Sequence, residues 1–259
     1  SQSDIRYEAA RKGWITSFPD FNQAFTQIHN NQFNISGQLN FGAGLLIDLN
    51  AEKNFSVNNS ENFSVINEEY NSLNPNQYGN FGMSNIIIGT AFKKYSGSFN
   101  QSFEDFRGNR LIISKRLAYI NGIDLDSFDG DGYVKGYGKN HQSVLIPAFL
   151  SAYSGQSAEK ISLNPTNTTP LPNWNIKYTG LMKIKSLKKI FNRFSLTHGY
   201  RSSLTINNFQ TNLDYEITNP YLKDDGGNFL ASRLYGNINL VEQFNPLLRI
   251  DLELKNSFK

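Results

Sequence analysis

Four aspartates fall within eight positions, Asp124, Asp126, Asp129 and Asp131, with Gly130 and Gly132 among them. Clustered carboxylate oxygens on a glycine-containing turn suit a hard cation such as calcium. The spacing departs from the EF-hand loop, because the twelfth position counted from Asp124 is Lys135 rather than a bidentate Glu. A weak calcium site and a solvated acidic turn both fit the cluster, and the solvated turn is the plainer reading. No other combination reads as a reaction centre. The histidines, His29, His141 and His198, lie far apart, and there is neither a Gly-x-Ser-x-Gly elbow nor a His-Glu-x-x-His pair. Cysteine is absent, which excludes disulfides, thiolate metal sites and a cysteine nucleophile. Glu104 and Asp105 are adjacent on an expected helix and do not face each other, so they are no acid–base pair. His198 reads as a packed or interface-level histidine. No catalytic residue and no cofactor are expected.

Lys183, Lys185, Lys188, Lys189 and Arg193 form a basic cluster between two expected strands. It reads as a charged turn outside a membrane, near lipid headgroups. With 25 Lys and Arg against 22 Asp and Glu, the net charge is only +3. That gives no case for nucleic acid as a partner.

The elements that carry these residues are chiefly strands. Between Phe33 and Val57 eleven of thirteen odd positions are apolar. Phe33, Ile35, Leu39, Phe41, Leu45, Ile47 and Leu49 therefore share one face, and Gln38, Asn40, Asp48 and Asn50 share the other. Taken as one strand, such a run extends roughly 80 Å, with a turn at Asn58, Asn59 and Ser60 and a return strand from Glu61. Phe194, Leu196, His198, Tyr200, Leu204 and Ile206 alternate in the same way. So do Leu248, Ile250, Leu252 and Leu254, after an expected turn at 242–246. Weaker strands at 80–92, 173–184, 213–218 and 229–241 bring the count to eight to ten, mostly antiparallel hairpins.

A soluble sheet would bury the apolar face and wet the polar one. An outer-membrane barrel would turn the apolar face to lipid and the polar face to a wet lumen. Strand length favours the membrane, as does a composition that is 14% aromatic and rich in Asn, Ser and Gly. A mean hydropathy of −0.46 agrees with polar lumen faces, and Trp14 and Trp174 suit an aromatic girdle. No window is long and apolar enough for a transmembrane helix. The expected fold is all-β with a short helical insertion, a segment of a large antiparallel transmembrane β-barrel. Residues 1–95 form barrel strands with an N-terminal lead-in. Residues 96–172 form a helix-and-loop insertion, a cap or a lumen fold-in, and 173–259 form further barrel strands. Inside the insertion, Ser102 with Asp105 reads as a capping box opening a helix to about 118. Pro147 suits the first turn of a second helix that Gly155 stops. The start at Ser1 and the stop at Lys259 inside an alternating run read as cuts in a longer polypeptide.

Several segments resemble one family, in the same order along nearly the whole chain. They are Gly13-Trp-Ile-Thr-Ser-Phe-Pro-Asp-Phe-Asn22, Ala51-Glu-Lys-Asn-Phe55 with Asn59-Ser-Glu-Asn-Phe63, and Tyr78-Gly-Asn-Phe81. Next come Asn109-Arg-Leu-Ile-Ile-Ser-Lys-Arg-Leu117, Gly138-Lys-Asn-His-Gln-Ser-Val-Leu-Ile-Pro-Ala-Phe-Leu-Ser-Ala-Tyr153 and Pro172-Asn-Trp-Asn-Ile-Lys-Tyr-Thr-Gly-Leu181. The set closes with Arg193-Phe-Ser-Leu-Thr-His-Gly-Tyr-Arg-Ser202, and Val241-Glu-Gln-Phe-Asn-Pro-Leu-Leu248 with Lys255-Asn256. The chain thus resembles the SprA/Sov family, the outer-membrane translocon of the Bacteroidetes type IX secretion system. The resemblance implies a very large single-chain barrel that exports folded proteins with a C-terminal secretion signal, including adhesins of gliding motility. Its implied partners are outer-membrane lipid, a PorV-type shuttle barrel at a lateral opening, a periplasmic plug protein and secreted cargo. About ten strands cannot enclose a protein-wide pore, so this chain would be one segment of the wall. The alternatives are a TonB-dependent-like uptake barrel and a soluble extracellular β binding module.

Overall fold

The computed structural model describes residues 4–21, 23–92, 97 and 99–255. The chain is mostly β, 41% strand and 22% helix, and its strands form one antiparallel sheet. The strands are β1 (Phe25–Asn40), β2 (Leu45–Ile66), β3 (Glu69–Ser84), β4 (Asn173–Tyr178), β5 (Phe191–Thr211), β6 (Arg233–Tyr235), β7 (Ile238–Phe244) and β8 (Arg249–Leu254). The helices are α1 (Ile5–Arg11), α2 (Ile88–Ala91), α3 (Gln101–Ile120), α4 (Gln142–Ser154) and α5 (Lys185–Ile190).

The eight strands make five ranks. β1 lies along β2, and β2 is flanked on its other side by β3 and, in line with it, β4. β5 pairs with both β3 and β4. Its outer side carries β6, β7 and β8 end to end. The sheet is open, with β1 at one edge and β6–β8 at the other.

Three features of the sequence reading are corrected. The alternation from Phe33 to Val57 is two strands, not one. The chain reverses at Phe41–Gly44, where Gly42 and Gly44 hold φ of +68° and +86° and Ala43 holds +45°. The pattern runs through unbroken because odd residues pair with odd ones across the hairpin, as Leu39 does with Ile47. Asn58, Asn59 and Ser60 make no turn. They lie inside β2, with only a register shift between Ser60 and Asn62. The reversal comes at Asn67 and Glu68, both at positive φ, the two-residue primed turn that matches strand twist. The stretch 242–246 does not turn back either. Asn245 donates to the Gly199 carbonyl and Gly199 donates to the Pro246 carbonyl, so the chain bulges and continues along β5. Gly199 is required there, because a Cβ would sit 2.3 Å from the Asn245 carbonyl oxygen.

The third rank is interrupted. After Ser84 the chain leaves the sheet, and it returns at Asn173. The gap is closed by stitches: Ser84 Oγ accepts from Glu52 N–H at 3.0 Å, Asn85 N–H donates to the Ser202 carbonyl at 3.0 Å, and Asn173 Oδ1 accepts from Ser202 N–H at 2.7 Å. Asn173→Ala strands the Ser202 N–H and should lower unfolding free energy by about 1–3 kcal/mol. Asn173→Asp keeps an acceptor and should lose less, which denaturant titration of the pair would measure.

The excursion between Ser84 and Asn173 carries α2, α3 and α4. The boundary expected between 95 and 96 falls outside the described residues. α3 is longer than expected at both ends, and its N-cap is Asn100, whose Oδ1 accepts from Phe103 N–H, rather than Ser102. α4 starts at Gln142 behind an N-cap His141, so Pro147 lies inside the helix rather than in its first turn. Gly155 ends it in the left-handed region, as expected. Residues 213–218 form no strand, and 85–92 and 179–184 are turn and helix rather than strand continuations.

The core forms where this excursion lies on the sheet. Ile113, Leu117 and Ala118 of α3 and Val144, Ala148 and Leu150 of α4 meet Val57, Phe81, Met83, Leu204, Ile206 and Phe209. Those sheet residues belong to the apolar face. The insertion therefore packs on the apolar face of the sheet and not on the polar one.

Candidate membrane-facing and lumen-facing surfaces

The registers assemble one apolar face from alternate residues of every rank. Crossing the sheet, Leu49, Trp174, Tyr200 and Phe244 are successive neighbours. One step towards the Phe41–Gly44 turn lie Leu39, Ile47, Ile176 and His198. Next come Leu45, Tyr178, Leu196 and Ile250, and then Phe194 with Leu252. In the opposite direction Ser202 faces Glu242, and beyond them run Lys53, Met83, Leu204 and Leu240.

This face has two halves. Beyond Glu242 and Lys53 it is roofed by α3 and α4, and Leu204, Ile206 and Phe209 are completely buried. On the other side nothing covers it among the described residues. Ile35 is 57% exposed, Leu39 44%, Ile250 53% and Leu252 51%. Phe33, Phe41, Leu248 and Leu254 are also exposed, and Leu45, Ile47, Leu49, Phe194 and Leu196 are half-buried. A contiguous apolar patch of this extent marks an interface with lipid or protein. The seam between the halves is aromatic. Trp174 stacks on Tyr200 with centroids 4.3 Å apart, and Phe244 packs against Tyr200 and His198.

Three residues expected to face lipid do not. Tyr200, Leu204 and Ile206 have no exposed surface, because the insertion and the aromatic seam lie over them. Two others leave the strand pattern: Phe41 sits in the β1–β2 turn, and Leu248 sits in the bulge before β8.

The uncovered band crosses the sheet obliquely. On the first rank it runs from Phe33 to Phe41, starting four residues beyond the Leu49–Tyr200 level. On the last rank it runs from Phe244 to Leu254, ending four residues past Ile250. Four residues are roughly 13 Å of strand, and four inter-rank steps are roughly 19 Å. The obliquity is therefore about 35°, within the strand tilt of about 35–45° in transmembrane barrels. Along β5 the uncovered stretch from His198 to Phe191 covers about 23 Å, and about 30 Å when the buried Tyr200 of the aromatic seam is counted with it. Tilted, these are about 19 and 25 Å, against an apolar belt of about 25 Å around an outer-membrane barrel.

The opposite face is polar and unroofed among the described residues. Gln38 donates to Asp48 at 2.7 Å, Asn50 to Asn34 at 3.2 Å, Ser56 to Asn30 at 2.6 Å and Asn58 to the Tyr78 hydroxyl at 2.7 Å. These bonds tie neighbouring ranks side by side. Gln38, Asp48 and Asn50 sit on this face as the alternation requires. Asn40 instead closes the turn, its Oδ1 accepting from Gly42 N–H at 3.0 Å.

The aspartate cluster does not converge. Asp124 Oδ1 accepts from Asp126 N–H, Asp129 Oδ1 accepts from the N–H groups of Asp131 and Tyr133, and Asp131 pairs with Lys139 at 2.6 Å. The carboxylates cap turns, and no group of three or more His, Asp or Glu fit to hold a metal occurs among the described residues.

His141 is a structural linchpin that spacing did not reveal. Its Nδ1 accepts from Ser143 N–H, so Nε2 carries the proton and donates to the Phe229 carbonyl at 2.9 Å. Burial holds its pKa below the usual imidazole value. The unfolded chain therefore takes up a proton first as pH falls. The stabilisation is full above about pH 6.5 and declines below it, towards the lower folded value. His141→Asn keeps a cap acceptor, so it should be less stable at pH 7.5 but should show a shallower loss down to pH 5.5 in paired unfolding curves.

Glu61 was also missed. It lies at the far tip of β2, where it pairs with Arg6 of α1 at 2.9 Å and accepts from the hydroxyls of Tyr70 and Ser72. No local motif marks it; α1 and β3 are brought to it only by the fold. No protein-family model and no curated protein matches this chain.

Proposed function

We propose that this chain is a segment of the wall of a protein-conducting outer-membrane barrel, of the type IX secretion kind its sequence resembles. The oblique, uncovered apolar band carries the reading. A sheet working in water would need that half of the face covered as well, whereas a wall in lipid needs it bare. The Asn- and Ser-rich opposite face then lines the lumen. Several of its polar groups are paired across strands and its charge is sparse, so folded cargo slides past without strong adhesion. Two open edges suit a segment that further strands on either side complete, since no backbone group can face lipid unpaired. The insertion stands outside the bilayer on the outer wall, a platform suited to a partner such as a PorV-type shuttle barrel. A periplasmic plug protein and secreted cargo are the other partners of this reading. The wall itself performs no chemistry.

A photo-crosslinking residue at Asn34 or Asn50 should capture secreted proteins in transit, and one at Leu39 should capture none. The polypeptide that carries this sequence should be several times larger than 29.3 kDa. A native product near that mass, or equal capture from both faces, would overturn the proposal.

A further inference from the structure

The connection between β4 and β5 combines charge and exposed apolar surface in a way the wall itself does not require. It comprises a 3-10 turn, Gly180–Lys183, and α5. Lys183, Lys185, Lys188 and Lys189 are all exposed, and Arg193 follows on β5. Interleaved with them, Ile184, Leu187 and Ile190 recur at helical spacing, and Ile184 and Ile190 are 48% and 52% exposed. From Lys160 to Leu213 there is no Asp or Glu. No ion pair involving these five cations occurs among the described residues.

The position is as telling as the composition. Lys255 N–H donates to the Ile190 carbonyl at 3.0 Å, and Phe191 packs edge-on against Phe194. The connection thus hangs from the end of the apolar band, beside Leu252 and Leu254. It is also tethered to the neighbouring hairpin, since Thr179 N–H donates to the Gly44 carbonyl at 2.8 Å. Gly180 allows this, because a Cβ there would meet the Ala43 carbonyl oxygen at 2.2 Å.

We propose that Gly180–Ile190, with Arg193, anchors the wall to the anionic phosphate headgroups of a glycerophospholipid leaflet. Its isoleucines and Leu187 enter the acyl boundary and its lysines snorkel to the phosphates. The leaflet follows from the connections. The ends joined by Phe41–Gly44 and by 179–190 are short, whereas on the other side of the band 85–172 leaves from the middle of the third rank, 212–232 leaves from the end of β5, and β2 and β3 run on to the Asn67–Glu68 turn. Outer-membrane barrels put short turns in the periplasm and long loops outside, so the anchor meets the periplasmic leaflet. The proposal rests on the reading of the sheet as a membrane wall.

The test uses the full polypeptide, purified in detergent and inserted into vesicles of phosphatidylcholine alone or with one third phosphatidylglycerol. Because this chain has no cysteine, Ile190→Cys in it carries an environment-sensitive fluorophore, and any cysteine elsewhere in the polypeptide is first replaced by serine. The label should shift to the blue with phosphatidylglycerol, and high salt should reverse the shift. The combined K183Q, K185Q, K188Q and K189Q variant should insert equally well and lose most of the blue shift at one third phosphatidylglycerol. Insertion with a label that reports water in both vesicles, or an equal shift in both, would overturn the anchor and leave the wall standing. Failure to insert in either vesicle would overturn the wall itself, a separate result.

Discussion

Ile47→Arg should destabilise the membrane-inserted protein by about 2–4 kcal/mol, the cost of a cation on the lipid face near the bilayer midplane. Ser36→Arg, on the opposite face of the adjoining rank, should change stability little. The two positions lie near each other in the β1–β2 hairpin, so local strand propensity does not separate them. What separates them is the solvent each face meets. In water the order would weaken, because a half-buried Ile47 can release an Arg head along its own aliphatic stem. Urea unfolding in phospholipid bilayers, compared with the same variants in water-soluble form, would measure the difference. Equal losses at Ile47 and Ser36 in bilayers would count against the assigned faces.

Phe209→Ala should be the most damaging change in the roofed half, about 3–5 kcal/mol. Phe209 has no exposed surface, stacks on Phe55 with centroids 5.6 Å apart, and lies 4.7 Å beneath the Arg233 guanidinium. Gly79 leaves space for its ring; a Cβ there would come within 2.8 Å of Phe209 Cζ. The loss should be local. Amide exchange should accelerate in α3 and α4 while β1, β8 and the lower part of β5 stay protected, because the band below Glu242 is stabilised by different contacts. Uniform acceleration through all five ranks would show that roof and band form one cooperative unit.

The mostly-β antiparallel architecture was legible because period-two alternation runs through most of each strand and through the Phe41–Gly44 turn, changing parity only at bulges such as that between Ile206 and Phe209. That same persistence concealed the reversals. Gly42, Ala43 and Gly44 continue the pattern in sequence while turning the chain in space, since partners of like parity meet across the hairpin. The Asn67–Glu68 turn lacks the glycine that usually announces a primed turn, so Asn58–Ser60, a stronger composition signal, drew the expectation instead. Alternation groups apolar residues on one face, but it cannot say what covers them. Leu204 and Leu252 have the same pattern in sequence, yet α3 and α4 lie over the first and nothing lies over the second. Charged residues on the apolar face, Lys53 and Glu242, mark the change. Each looks like an isolated exception until the register puts them on adjacent levels at the edge of the roofed half. The contacts of His141 with Phe229 and of Glu61 with Arg6 and Tyr70 join segments far apart in the chain, which no spacing rule reaches.

The central claim, that the uncovered apolar band meets lipid and the opposite face meets water, is tested most directly by cysteine accessibility. Single cysteines at Leu39, Ile47, Ile250 and Leu252, and at Gln38, Asn50, Arg249 and Asp251, would be challenged in intact outer membranes with a membrane-impermeant maleimide small enough to enter the lumen. Only reaction at the introduced position would be scored. The first four should be protected until detergent strips the lipid, and the second four should react at once. Rapid labelling of both sets would contradict a membrane wall, and protection of both would mean that the polar face is covered rather than open to a wet lumen.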